Sequence, residues 1–148
     1  MARYFTLAEA EELLPAIERY IRQAQSMRED FERADSVVRK FNRNVAMSGG
    51  SFVNLNRAHA LRDQRESSLK RLQGIIESLT DSGCQLKDLD KGLIDFPTLY
   101  QGEEVLLCWK LGESGIRYWH GLEEGYQGRK EIDDHFRANH NGGEEEAS

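Results

Sequence analysis

The fold is decided by the stretch from Thr6 to Val45, which reads TLAEAEELLPAIERYIRQAQSMREDFERADSVVRKFNRNV. Its apolar residues recur at steps of three and four, which is the spacing of one face of an α-helix. At its start, Thr6-Leu7-Ala8-Glu9 forms a capping-box pattern, in which the threonine hydroxyl and the glutamate carboxylate each accept a backbone N–H. Pro15 lacks an N–H for the helical ladder, so we expect a kink or a restart there. The stretch therefore predicts one long amphipathic helix.

A second helix is predicted after the glycine-rich turn Ser48-Gly49-Gly50-Ser51. Its apolar pattern runs from about Asn54 to Leu79, and Gly83 is placed to cap its C-terminus. The middle of this pattern, residues 62–68, has no large apolar side chain, so it cannot pack as tightly as the two ends. Together the two patterns predict an antiparallel helical hairpin over residues 6–80. Two helices alone leave apolar surface uncovered, which the rest of the chain or a second copy must cover. Because the first helix is longer than the second, we expect a homodimer formed through the helices.

A small antiparallel sheet is predicted for the sheet unit, residues 84–130. Leu93-Ile94-Asp95-Phe96 reads as a short strand ended by Pro97. The continuous apolar run from Val105 to Trp109 predicts a central strand buried on both faces, and residues 116–120 predict the third strand of a meander. From Asp133 to Ser148 the chain is charged, glycine-rich and then acidic, which is typical of a disordered tail. The predicted fold class is α+β, with a single domain over residues 1–132.

Composition narrows the classes of protein. The chain has 148 residues and a formal net charge of -6. No apolar run approaches the roughly 20 residues that a membrane-spanning helix needs, and the N-terminus lacks the pattern of a secretory signal. Cys84 and Cys108 do not form a CxxC pair, which favours free thiols in a reducing compartment. We therefore expect a cytoplasmic protein without membrane contact.

The basic residues are concentrated near the predicted hairpin turn. Residues 36–62 contain no Asp or Glu, and the tip of the hairpin carries Arg39, Lys40, Arg43, Arg57 and Arg62. A tip of this composition predicts an anionic partner. An acidic protein fits better than nucleic acid, because the chain as a whole is acidic and the tip has few aromatic residues. The alternative is a solvated tip whose arginines pair with acidic groups on a second subunit.

The segment from Gly83 to Arg129 resembles a bacterial family known as domain-of-unknown-function family 2203. The matching pieces are Lys87-Asp88, Gly92-Leu93-Ile94-Asp95-Phe96-Pro97, Leu107-Cys108-Trp109, Gly112-Glu113, Trp119-His120, Gly125-Tyr126 and Gly128-Arg129. The opening residues, Tyr4 to Leu7 and Leu13 to Pro15, are also similar to the start of that family. The resemblance implies no activity. It marks seven positions that match the family pattern, namely Lys87, Asp88, Asp95, Glu113, Trp119, His120 and Arg129.

The polar members of this set leave three interpretations open. His120 with Asp88, Asp95 and Glu113 could ligate a divalent metal, since imidazole and carboxylate suit zinc, manganese or iron. The same histidine could serve as a general base oriented by a carboxylate. Alternatively, Lys87, Asp95 and Arg129 form buried ion pairs that fix the sheet, while a backbone carbonyl satisfies His120. The sequence contains no metal-binding motif that decides among these interpretations.

Cys108 has its own two interpretations. A cysteine inside an apolar central strand is typical of a small core residue. A nucleophile would need exposure and an electropositive neighbour, and the flanking sequence supplies no paired cysteine or histidine. We therefore expect a core role.

Two functions follow from these features. The first is a non-catalytic interaction or scaffold protein that acts through the helical hairpin and its basic tip. The alternative is a small-ligand or metal-dependent enzyme that uses His120 with Asp88, Asp95 and Glu113. A divalent metal is the one cofactor that this alternative implies.

Overall fold

The computed structural model describes residues 3–49 and 54–143. The chain divides into two compact units, one made of residues up to Ile21 and from Ser78 onward, the other of Arg22–Glu77. Helix α1 covers Leu7–Met47 and helix α2 covers Leu55–Asp81, so each helix contributes to both units. The predicted α+β fold, with two long helices followed by an antiparallel sheet, is confirmed.

The predicted capping box at the start of α1 is present. Thr6 Oγ1 accepts from the backbone N–H of Glu9, and a Glu9 carboxylate oxygen accepts from the backbone N–H of Thr6. Helix α1 continues through Pro15 without the restart that we considered. The two turns beyond the proline bury Ile17 and Ile21 completely, and this packing offsets the loss of one backbone bond.

The first unit contains six short antiparallel strands among the described residues. They are β1 Gln85–Asp88, β2 Leu93–Tyr100, β3 Glu103–Lys110, β4 Tyr118–Gly121, β5 Lys130–Glu131 and β6 His140–Asn141. The first five lie in chain order across the sheet, and β6 pairs with β2. The predicted three-stranded meander corresponds to β2, β3 and β4. The predicted number of strands, three, is wrong. The additional strands are two to four residues long, which is too short to give a recognisable alternating pattern in the sequence.

Pro97 lies inside β2, where we predicted that it would end the strand. Its carbonyl accepts a bond from the backbone N–H of Phe5. In an antiparallel strand the N–H and C=O of one residue point to the same side, so the missing N–H of Pro97 faces away from β3. On that side β1 pairs only as far as Asp95 and β6 begins only at Leu99, so no ladder bond is lost.

One face of the sheet forms the hydrophobic core of the first unit. Ile94, Phe96 and Leu107 are fully buried on this face, and the helical residues Ile17 and Leu79 belong to the same cluster. The segment 105–109 is buried along its whole length, which confirms the prediction of a central strand covered on both faces.

The tail folds back onto this core as far as it is described. Helix α3 covers Asp134–Asn139, and the Asp133 carboxylate caps it by accepting from the N–H of Phe136. The prediction of disorder is wrong for residues 133–143, because the fully buried ring of Phe136 anchors them against the sheet. The rest of the predicted tail, residues 144–148, lies outside the described residues.

The second unit is a pair of antiparallel helical segments. Its buried side chains are few, and most of them are small: Ala24, Ala34, Val38, Ala58, Ser68 and Leu72. Between the helices lies a cavity of about 470 Å³, lined by residues that include Ala34, Leu61 and Ser68. The cavity lies beside the stretch of α2 for which the sequence predicted loose packing. No helix in the described parts of the chain is both long and apolar enough to cross a membrane.

Candidate functional site

A polar cluster lies on the face of the sheet opposite the hydrophobic core. Asp95 on β2 is directly opposite Cys108 on β3, and Cys108 is opposite Tyr118 on β4. His120, two residues further along β4, therefore has its side chain on the same face as Asp95 and Cys108. The three side chains are buried, with 0–3% of each residue exposed. We call Asp95, Cys108 and His120 the buried triad.

The ring of His120 is held at both nitrogens. Nδ1 lies 2.8 Å from the carbonyl oxygen of Gly121, and a carbonyl can only accept, so Nδ1 carries the proton of this bond. Nε2 lies 3.1 Å from the Oδ2 atom of Asp95. An unprotonated Nε2 and an ionised carboxylate would present two lone pairs to each other. A proton or a metal cation must therefore lie between them.

Asp95 and Cys108 are both affected by burial. The second carboxylate oxygen of Asp95, Oδ1, is buried and has no hydrogen-bond partner among the described residues. Burial, followed by the adjacent carboxylate of Asp95, raises the pKa of the Cys108 thiol to about 12, although Arg129 acts in the opposite direction. Without a bound cation Cys108 is therefore a neutral thiol at physiological pH, which agrees with the prediction of an unreactive core residue.

Arg129 and Glu113 form an ion pair beside the buried triad. Their closest nitrogen and oxygen atoms are 2.7 Å apart, and both side chains are mostly buried. The guanidinium lies between the rings of Tyr118 and Tyr126, 4.1 and 4.7 Å from their centroids, and reaches the carbonyl of Cys108 at 3.5 Å. Burial by itself would lower the pKa of Arg129, but the bond with Glu113 and nearby negative groups raise it above its ordinary value.

The other positions marked by the sequence lie elsewhere in the first unit. Lys87 is exposed on β1 and cannot form the buried ion pair that we considered. The Asp88 carboxylate accepts from the backbone N–H of Lys91 and thus closes the turn after β1. Trp119 points to the core face, where it stacks on Phe136 with ring centroids 5.0 Å apart. Of the proposed set, Asp95 and His120 are in direct contact, and Glu113 pairs with Arg129 instead.

A family model described as "Uncharacterized conserved protein (DUF2203)" matches residues 3–132. The chain belongs to this family. No curated protein and no solved structure matches it. The matched residues include the whole buried triad and the Glu113–Arg129 pair, and they end before helix α3.

Sequence reasoning did not include Cys108 in the candidate site. Its burial within an apolar run was recognised, but strand alternation alone does not tell which strands are neighbours or how they are aligned. The alignment that sets Asp95 opposite Cys108 depends on a β2–β3 turn at residues 101–102, with positive φ at both Gln101 and Gly102. The Gln-Gly pair at this turn was the sequence signal that could have predicted the alignment, since two-residue turns with positive φ fix the register of a hairpin.

The basic tip is exposed at the far end of the second unit. All five residues, Arg39, Lys40, Arg43, Arg57 and Arg62, have exposed side chains. Arg39 pairs with Asp35 at 2.9 Å, while the other four have no carboxylate partner within the described ranges. Met47 and Leu55 are 80% and 64% exposed, so apolar surface accompanies the positive charge.

Proposed function

We propose that the protein is a non-catalytic interaction protein that binds an acidic protein partner through the basic tip of its helical hairpin. The observation that carries the proposal is a stretch of 27 residues, 36–62, which contains five basic residues and no carboxylate in a chain of net charge -6. The rest of the chain has 15 basic and 26 acidic residues, which give it a formal charge of -11. Such a separation of charge favours oriented association with an anionic surface.

The apolar residues of the tip favour a protein over nucleic acid as the partner. Arg39, Arg43 and Met47 are spaced four residues apart on α1, so they are neighbours along one helix face. A helix face that alternates guanidinium groups with an exposed methionine suits an acidic segment with apolar side chains. Single-stranded nucleic acid would instead call for exposed aromatic side chains on which bases stack. Among the described tip residues the single aromatic, Phe41, is half-buried.

A homodimer and a cytoplasmic location belong to the same proposal. The second unit buries few side chains, half of them alanines, and leaves Val37 42% exposed at the rim of the cavity. A second copy of the chain could cover this surface. Both cysteines are buried free thiols, as expected for a bacterial protein of the reducing cytoplasm.

Charge reversal of the tip tests the proposal. A photo-reactive amino acid at Leu55 would be used in cells to capture proteins that touch the tip, in the parent and in an Arg43→Glu, Arg57→Glu, Arg62→Glu variant. We expect an acidic protein to be captured in the parent. With the isolated partner, the variant should bind at least about tenfold more weakly, since each exposed pair contributes roughly 0.2–1 kcal/mol and reversal adds repulsion.

The matched control carries three charge reversals outside the tip, Lys70→Glu, Lys87→Glu and Lys91→Glu, all at exposed positions. The net charge changes equally in the two variants, so a loss confined to the tip variant is due to position rather than total charge. Equal binding by both variants, or capture of nucleic acid in place of a protein, would contradict the proposal.

A further inference from the structure

The buried triad brings together one imidazole, one thiol and one carboxylate. One ligand atom from each of Asp95, Cys108 and His120 lies within 4.8 Å of the other two. The residues belong to three strands, β2, β3 and β4, which are hydrogen-bonded neighbours. We propose that this triad binds a divalent transition metal ion, with zinc as the expected occupant. This inference goes beyond the proposed function, because it concerns the sheet and does not depend on the tip.

The spacing of the donor atoms suits a tetrahedral ion. Bonds of about 2.0–2.2 Å from zinc to nitrogen and oxygen, at a tetrahedral angle, place those two atoms about 3.4 Å apart. Nε2 of His120 and Oδ2 of Asp95 are 3.1 Å apart. A zinc–sulfur bond of about 2.3 Å requires the sulfur about 3.6 Å from the nitrogen, which lies within the 4.8 Å that the triad spans. The three donor atoms are thus gathered within the reach of a single ion.

The orientation of His120 is that of a metal ligand. In metal sites the ring nitrogen that does not bind the ion almost always donates to a carbonyl, carboxylate or water. Here Nδ1 donates to the carbonyl of Gly121 at 2.8 Å, which fixes the ring and directs Nε2 toward Asp95. Both partners of this bond, the His120 ring and the Gly121 carbonyl, belong to β4, so a bound ion would not require the strand to rearrange.

The unpartnered oxygen of Asp95 is an independent reason to expect a cation at this position. Asp95 is 1% exposed, and its Oδ1 atom has no hydrogen-bond partner in the described chain. A buried acceptor without a partner is destabilising, and more so if it is charged. A proton shared between Asp95 and His120 explains the contact at Oδ2, and the Cys108 thiol beside the carboxylate is only a weak donor. A divalent cation held by the carboxylate would stabilise its buried charge more than a weak donor does.

The charges also balance around a divalent ion. A carboxylate from Asp95, a thiolate from Cys108 and a neutral His120 give a total of -2, which one divalent cation neutralises. The adjacent Arg129 is paired with Glu113 and adds no net charge. A neutral assembly is what a buried site requires, because an uncompensated charge in the interior is very costly.

The mixture of donors indicates the class of metal. Thiolate and imidazole select zinc, copper or iron over magnesium and calcium, which prefer oxygen ligands. Three protein ligands leave the fourth position of a tetrahedral site for water. Because all three ligands are almost fully buried, the ion would hold β2, β3 and β4 together and would exchange slowly with the solvent.

Metal content and a cobalt spectrum test the inference. The untagged full-length protein is stripped with a chelator, refilled with Zn²⁺ or Co²⁺, freed of loose ions and analysed for metal. We expect about one ion per chain. The cobalt form should show the near-ultraviolet charge-transfer absorption of a cobalt–thiolate bond, because Cys108 is the expected sulfur ligand.

Single-ligand variants identify the site. Cys108→Ala and His120→Ala should each weaken zinc binding by at least about 100-fold, because each removes one of three protein ligands and the loss of even a second-shell partner typically costs about 10–100-fold. Cys84→Ala is the matched control. Cys84 is also a buried cysteine of the first unit, but its Sγ contacts the carbonyl of Leu79 and lies outside the triad. This control should keep both the ion and the absorption band.

The parent protein decides the question even if a ligand variant does not fold. Absence of bound zinc and cobalt at micromolar concentrations would overturn the inference, and so would a cobalt form without the thiolate band. Equal binding by Cys108→Ala and the parent would also overturn it. The tip experiment above is unaffected by any of these results.

Discussion

Glu113 and Glu124 make the same two kinds of bond in different surroundings. Each carboxylate accepts from a backbone N–H, that of Lys110 or of Gly121, at 2.7 Å. Each also pairs with a cation, Arg129 for Glu113 and Lys130 for Glu124. The first pair has side chains 12% and 24% exposed, and the second has side chains 46% and 42% exposed. The two pairs therefore differ in burial, and also in the cation, which is a guanidinium in the first and an ammonium in the second.

Replacing each glutamate by glutamine measures the effect of burial. Glutamine keeps an oxygen for the backbone bond, removes the charge and replaces the second oxygen with an NH₂ donor. Glu113→Gln should lower the free energy of unfolding by roughly 1–3 kcal/mol, because it leaves the guanidinium of Arg129 buried without a counter-charge. Glu124→Gln should cost clearly less, as is usual for an exposed pair. Urea unfolding of both variants checks this, and equal losses would contradict the assigned role of burial.

The sequence predicted the burial and backbone conformation of single residues better than it predicted their contacts. Burial of Cys108 followed from its apolar neighbours, and the conformational demand at Gly83 followed from its place after a helix, where φ is +102°. The sequence grouped His120 with three carboxylates but did not select Asp95 as its partner, because the two residues lie on strands on either side of β3. Residues 25 positions apart meet only once the register of two strand pairs is fixed, and alternation leaves that register open.

The start of helix α1 uses a partner that lies far away in the sequence. The backbone N–H of Leu7 donates to Nε2 of His140 at 2.9 Å. Nδ1 of the same ring lies 2.9 Å from the carbonyl of Arg137, so His140 is neutral and accepts through Nε2. The ring also stacks on Phe136 with centroids 5.3 Å apart. The segment after the family match thus completes the N-terminal cap of α1.

Changing His140 to phenylalanine removes the hydrogen bonds of the imidazole and keeps its packing. Phenylalanine keeps an aromatic ring on Phe136 but can neither accept from Leu7 nor donate to the carbonyl of Arg137. We expect the free energy of unfolding to fall by about 1–2 kcal/mol, the usual cost of an unsatisfied helix N-terminal N–H. His59→Phe, on the exposed surface of α2, should have little effect. If thermal or urea unfolding gives the same stability for parent and His140→Phe, the bond does not contribute.

Elements with strong local signals were predicted well. The capping box at Thr6 fixed the start of α1, and Asn54 caps α2 by accepting from the N–H of Arg57. The weak elements depend on tertiary contacts. Helix α3 has six residues, and strand β6 has two, so neither is stable apart from the core that buries Phe136. A polar, glycine-containing tail gives no periodic pattern from which such anchoring could be inferred.

At the scale of the whole chain, charge and apolar surface are both uneven. The basic tip and its exposed apolar residues lie in the second unit, whereas the buried triad and the large hydrophobic core lie in the first. The sequence predicted this separation from composition alone, but it gave no measure of how little the second unit buries. Its described residues bury only a few, mostly small side chains, and a solvent-open cavity of about 470 Å³ lies between its helices. Such a hairpin gains little hydrophobic stabilisation from its own contacts.

The proposed homodimer follows from the small amount of apolar surface that the second unit buries by itself. A second copy that covered Val37 and the cavity rim would bury apolar surface that the hairpin alone leaves in water. Light scattering at micromolar concentration should give twice the chain mass of 17.0 kDa. Val37→Glu should shift the protein to the single-chain mass, because dimerisation would bury an unpaired carboxylate. Leu122→Glu, at a 54% exposed position in the first unit, is the matched control and should remain dimeric. A single-chain mass for the parent would rule out the dimer, and the hairpin would then have to be covered by its acidic partner.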